Sequence, residues 1–503
     1  MKKREIDIGF PLAGLDRSVS YRQQKPYTTQ YAMNVRSLDA IEGRGRGGSR
    51  PCVNTLTALG GSVKMLAPLS VVESGELKRY MCALNGSSVS RSLTGRSFTG
   101  VGSATFNSDT TQVMGVEHLQ RLLIADYGTD AEIKVYDPAA TDKVCAMPDR
   151  VEADVIGDPP TGCPCIMRFL DRVVVAGPDH LWYMSRAGNS LDWDYAADES
   201  DPNRPVSGVA SSAGTIGEPI RALMSLSDDY LVFGAAGSLW LMRGDPAWGG
   251  MINPISTGVG IVDKAAWCGG PSGEIYFLAP AGLYVLSGPS APQAISAHKL
   301  PSELKGINNE DYTVCLAYDS KRNGLNVFVT NNTTAADSVH FWYDFQYQAF
   351  WQEKYGSLAE PYSAMRFTYE GSEDVYMGCK SGNICILDDA LENDDGINSP
   401  TEVWLGPILL GGDEYIDGVL EELIGVLDAE SENLTWAVHV GATAQEAYES
   451  TAFASGTWEA GLNYTERPRA GGHVMYLKLS STKRWSVERI TGILRTSGRL
   501  RRL

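Results

Sequence analysis

Histidine is scarce in this chain: there are six in 503 residues, none with another histidine, a cysteine or a carboxylate at ligand spacing. Metal-dependent hydrolysis and histidine-based nucleophilic catalysis therefore have poor raw material. Nine cysteines are few for this length and odd in number. Cys163 and Cys165 have one residue between them, too few for a CxxC zinc or redox motif, so buried thiols are expected in place of a disulfide framework. No apolar run approaches the roughly 20 residues needed to cross a bilayer, which argues against membrane insertion. The opening MKKREIDIGF turns acidic at once instead of entering an apolar signal segment, so synthesis in a cytosol-like compartment is expected. Net basicity is missing too: 61 acidic against 43 basic residues give a formal charge of −18, which repels nucleic acid.

What the chain does have is a repeated hairpin. An apolar strand, a short Gly/Asp turn and a second apolar strand with an aromatic recur in LLIADYGTDAEIKVYD, VVVAGPDHLWYM, YLVFGAAGSLWLM, IYFLAPAGLYVL and VYMGCKSGNICIL. The second strands, centred on Tyr136, Tyr183, Trp240, Tyr284, Trp342 and Ile386, recur about every 50 residues, the spacing of β-propeller blades. The expected class is all-β: a propeller of six blades, or of seven if Thr55 to Phe106 builds another. It occupies residues 111–392. Residues 1–110 read as an extended arm that supplies a closing strand or a further blade, removing an unpaired edge. Alternating runs such as LTWAVHVGA and HVMYLKLSS predict a C-terminal antiparallel sandwich over residues 401–503. Within it, EYIDGVLEELIGVL mixes helical and strand periods, and Gly418 and Gly425 favour strand.

Local motifs add little chemistry. GVGIV at Gly258 to Val262 lacks the third glycine and the following helix of a dinucleotide loop. The acid pairs Asp192/Asp194, Asp228/Asp229, Asp388/Asp389 and Asp394/Asp395 could serve glycosidase chemistry, or a Ca²⁺ site at Asp388 to Asp395, but turns account for them more simply. No catalytic, cofactor or metal residue is assigned. The candidates that remain are for protein contact. Trp193 is flanked by acids in an expected loop. Arg44 and Arg46 lie in the Gly-rich GRGRGGSRP, and Arg499, Arg501 and Arg502 form a basic terminus suited to an acidic neighbour.

Four segments then carry a resemblance: AMNVRSLDAIEGRGRGGSRP, MSRAGNSLDWDY, LVFGAAGSLWLMRGDP with the following STGVGIV, and GHVMYLKLSSTKRWSVERITGIL. In these the chain resembles the propeller-bearing tail proteins of short-tailed bacteriophages, of the tail nozzle or tail tubular protein B type. The resemblance implies a non-enzymatic virion component without cofactors, assembled in the host cytoplasm as a homo-hexameric ring on an adaptor or tail tube protein. Double-stranded DNA would pass through it without specific binding. The alternative is a propeller-fold phage protein that binds or hydrolyses glycans.

Overall fold

The computed structural model describes residues 3–140, 143–150, 155–177, 179–209, 212–413 and 416–499. The chain is all-β. Among the described residues the one α-helix is Ala444–Glu449, capped by the Thr443 hydroxyl accepting from the Glu446 N–H at 3.1 Å.

Four-stranded antiparallel meanders follow one another over residues 63–103, 114–146, 165–207, 220–256, 267–294 and 312–353. A further sheet takes three strands from residues 361–388 and its fourth, Cys52–Ala58, from the N-terminal arm. The first strand of the 361–388 sheet packs against the first strands of both the 312–353 and the 63–103 meanders, so the succession closes on itself. The arm thus supplies an edge strand here, and Thr55 to Phe106 yields both that strand and a complete meander.

Burial on both faces explains why these strands read as unbroken apolar runs. Leu122, Leu123, Ile124 and Ala125 are all buried, the even-numbered pair toward one core and the odd-numbered pair toward another. Two hairpin turns, at Leu119-Gln120 and Leu170-Asp171, take positive φ at both central residues without glycine, and the first of them does without Asp as well.

Beyond residue 400 two sheets share one core. One orders Lys3–Asp7, Val487–Arg499, Ile416–Leu427 and Ala470–Gly472. The other runs from Ala454–Trp458 through Leu434–Gly441, Val474–Ser481 and Thr401–Leu409 to Ala32–Met33, and on into all four strands of the 312–353 meander. Leu420, Leu423 and Leu494 of the first sheet meet Trp436, Val438 and Leu477 of the second. The ambiguous EYIDGVLEELIGVL forms strand over Ile416–Leu427. Gly425 there lies against the Trp458 indole, where a Cβ would overlap the ring.

Candidate contact surfaces

The arm threads between the meanders and the C-terminal sheets, and its arginines fix it there. Arg36 reaches Glu353 bidentately, Nε to Oε1 at 2.6 Å and Nη2 to Oε2 at 3.0 Å, with both side chains buried and the guanidinium 4.0 Å above the Trp342 ring. Tyr355 donates its hydroxyl to the same carboxylate. Arg50 forks onto Asp394 at 3.0 and 2.6 Å and donates further to Asn34 and to the carbonyls of Pro51 and Lys354. Burial opposes its charge, but Asp394 outweighs that and holds the guanidinium more firmly protonated than usual.

Arg46, expected to face a neighbour, is instead a clamp within the chain. Its side chain is 9% exposed and binds Asp39 at 3.0 Å, Glu42 at 2.9 Å and Asp428 at 2.7 Å, with Glu488 also in contact. Glu42, Asp428 and Glu488 form the one grouping of metal-ligand type among the described residues, and this guanidinium already neutralises part of its charge. Arg44 does project, 62% exposed, and pairs with Glu42 at 3.0 Å. Arg499 ends the strand Val487–Arg499, its backbone opposite Ile416. Arg501 and Arg502 lie outside the described residues.

Trp193 corrects the sequence expectation. It is 0% exposed, packed with Leu123, Ile166 and Val175, and its Nε1–H donates to the Ser190 carbonyl at 3.0 Å. The flanking acids satisfy nearby backbone: Asp192 accepts from the Asp194 N–H and Asp194 from the Ala196 N–H. The acids make the turn and the indole enters the core. Nor do Asp388 to Asp395 gather round a common point. Asp388 accepts from Asn54 at 2.9 Å, Asp389 binds Arg322 at 2.6 Å, and Asp394 is taken by Arg50.

Three histidines have acidic neighbours that spacing along the chain does not reveal. His118 lies 3.2 Å from Asp171, His473 lies 3.0 Å from Asp417, and His340 lies 3.8 Å from Glu360. A cleft of about 390 Å³ where the arm meets the 312–353 meander is lined by Arg36, Asp39, Glu42, Lys321, Arg322 and Asp389. Its charges are largely matched, Arg322 bridging Asp319 at 2.9 Å and Asp389 at 2.6 Å.

The surface displays apolar side chains that sequence reading missed. Leu462 and Tyr464 project from the C-terminal part, Trp248 and Met251 from the 220–256 meander, and Val72, Leu77 and Leu119 from neighbouring hairpin tips. Their signal was available in Leu-Asn-Tyr and Pro-Ala-Trp segments set in Gly-rich turns. No helix among the described residues is long and apolar enough to cross a membrane.

No family model matches the chain, and no curated protein matches it. Several solved structures are similar. The extracellular domain of a putative one component system from B. thetaiotaomicron is 12% identical at a TM-score of 0.44, over 75% of this chain and 43% of that one. That of a putative hybrid two component system from the same organism is 13% identical at 0.42, over 71% and 47%. The computationally designed Ika8 protein is 13% identical at 0.38, over 67% and 99%. The chain spans less than half the length of the two bacterial structures. Likeness at this level says nothing of what the chain binds or does.

Proposed function

We propose that this chain is a non-enzymatic wall component of a short-tailed phage tail, of the nozzle or tubular type, assembling as a homo-hexameric ring on an adaptor or tube protein. In this reading the closed succession of sheets is a seven-bladed β-propeller whose last blade is completed by Cys52–Ala58, and the two C-terminal sheets are a β-sandwich. The observation that carries it is the arm's threefold engagement. One segment gives an edge strand to the C-terminal sheets, a bridging strand at Ala32–Met33 and the closing strand at Cys52–Ala58. A chain tied together in this way suits a rigid building block, with apolar and aromatic side chains left outward for neighbours. The charge of −18 suits passage of DNA, since like charge lets the phosphate backbone slide without holding it.

Native mass measurement and negative-stain imaging of the purified chain test the reading. A ring of six copies that co-purifies with phage particles is the expected result. A species that stays monomeric at all concentrations, or cleaves a host glycan, would replace it with the glycan-active alternative.

A further inference from the structure

Of the exposed apolar side chains, Leu462 and Tyr464 have the clearest counterpart elsewhere on the chain. Leu462 is 74% exposed and Tyr464 95%. They belong to a segment that lies along Ile416–Leu427 through bridges at Val426 to Leu462 and Leu423 to Glu466, and so borders that sheet on one side. The opposite border of the same sheet is Lys3–Asp7, which among the described residues pairs only with Val487–Arg499. Beside it opens a groove of about 390 Å³ lined by apolar Ile6, Pro11 and Tyr27 and by charged Arg4, Asp7 and Lys25.

We infer that Leu462 and Tyr464 of one copy seat in this groove of the next copy, with Glu466 meeting Arg4. The inference rests on the ring reading above and gives it a contact. A knob and a groove on opposite borders of one sheet are different surfaces, so the association is head-to-tail, the type that closes into rings. The charges agree. Along the groove border Lys3 and Arg495 share Glu421 at 2.9 and 2.6 Å, whereas Arg4 has no carboxylate partner among the described residues, and neither has Glu466 a cationic one. Backbone strand addition is the less favoured mode, because Lys3, Arg4, Glu5 and Asp7 place four charges on a five-residue border strand. Side-chain seating needs no such pairing.

The test compares the full chain with Leu462→Asp/Tyr464→Asp by native mass spectrometry and analytical ultracentrifugation. Both residues project into solvent, so far-UV circular dichroism and thermal unfolding should be unchanged. The double variant should weaken ring association on the order of thirtyfold or more, as loss of a central aromatic anchor does. Arg4→Glu should weaken it as well, and Arg4→Glu with Glu466→Arg should restore it. Rings of wild-type strength from the double aspartate variant overturn the contact and leave the ring reading standing. A failed charge swap overturns the Arg4–Glu466 pairing. A wild-type chain that never exceeds a monomer overturns the ring reading and this contact with it.

Discussion

Glu353→Gln probes how firmly the arm is held. The substitution keeps side-chain volume and one carbonyl acceptor but removes the charge that Arg36 grips through two hydrogen bonds of 2.6 and 3.0 Å. The guanidinium stays enclosed over Trp342, with its Nη1 already lacking a partner. Breaking a buried pair from one side costs about 3–5 kcal/mol, because the surviving charge has lost its compensation. Unfolding entropy of about 2.1 cal/mol/K per residue amounts to roughly 1 kcal/mol/K over 503 residues, so for one cooperative transition Tm should fall by about 3–5 °C. Thermal melts followed by tryptophan emission suit the purpose, since Trp342 lies directly beneath the affected group. The double variant Arg36→Met/Glu353→Leu should recover most of the loss, because it removes the desolvation of both charges. A Glu353→Gln protein melting within about 1 °C of wild type would refute the assignment of this pair as an anchor.

The same pair carries a pH signature. Burial pushes the Glu353 carboxyl up, but Arg36 by charge and hydrogen bond, then Arg50, overcome that and hold it below the ordinary glutamate range. A depressed folded value means the stabilisation is complete above the unfolded pKa of about 4.3 and is lost as pH falls through the lower folded value. The Tm difference between wild type and Glu353→Gln should therefore be constant from neutral pH down to about 5 and shrink below about 4.

Trp193→Ala should cost about 3–5 kcal/mol in urea unfolding, as for a fully packed indole, and leave particle size by native mass unchanged. Iodoacetamide at pH 8 without denaturant should leave the buried cysteines other than Cys385 unlabelled, since burial pushes the thiols of Cys82, Cys163 and Cys165 up to about 12, whereas hydrogen bonds with Cys379 and Thr55 pull the Cys385 thiol down; labelling of Cys82, Cys163 or Cys165 in peptide mass mapping would refute this. Deleting residues 1–60 strips the closing strand from Asn383–Asp388 and exposes apolar partners of Val53, so the product should aggregate on size exclusion; a monodisperse, folded product would mean that closure is dispensable.

The middle hairpins were legible because strands buried on both faces compress into short apolar runs, as in Arg172–Ala176 and Tyr230–Ala235. The 63–103 meander was fainter. Its first hairpin extends past the core, so its apolar residues are interrupted by Ser70, Lys78 and Arg79, and Lys64 breaks the run although it is buried. The arginines of the arm could not be placed from local charge. Asp39 and Glu42 are near in sequence, but Glu353, Asp394 and Asp428 lie more than 300 residues away, so a clamp reads as a solvated basic patch. Trp193 misled for a related reason: acidic neighbours suggest solvent unless their carboxylates are known to be capping backbone N–H groups.

That distance also explains why the arm needs several anchors. Asn54 and Asp388 are 334 positions apart, and closing a loop of that length costs about 5 kcal/mol of chain entropy. A single ladder or ion pair would barely offset it. Once Cys52–Ala58 has paired with Asn383–Asp388, however, Arg50 is two residues from the ladder and Arg36 only sixteen, so the remaining anchors close short loops at far lower entropic cost. The closing strand, the Arg50 fork and the Arg36 fork therefore share one large entropic term, and each makes the next more favourable. The acidic partners are drawn from the 312–353 meander and from the linker after Asp388, the two places where the succession of sheets would otherwise part from the C-terminal sheets.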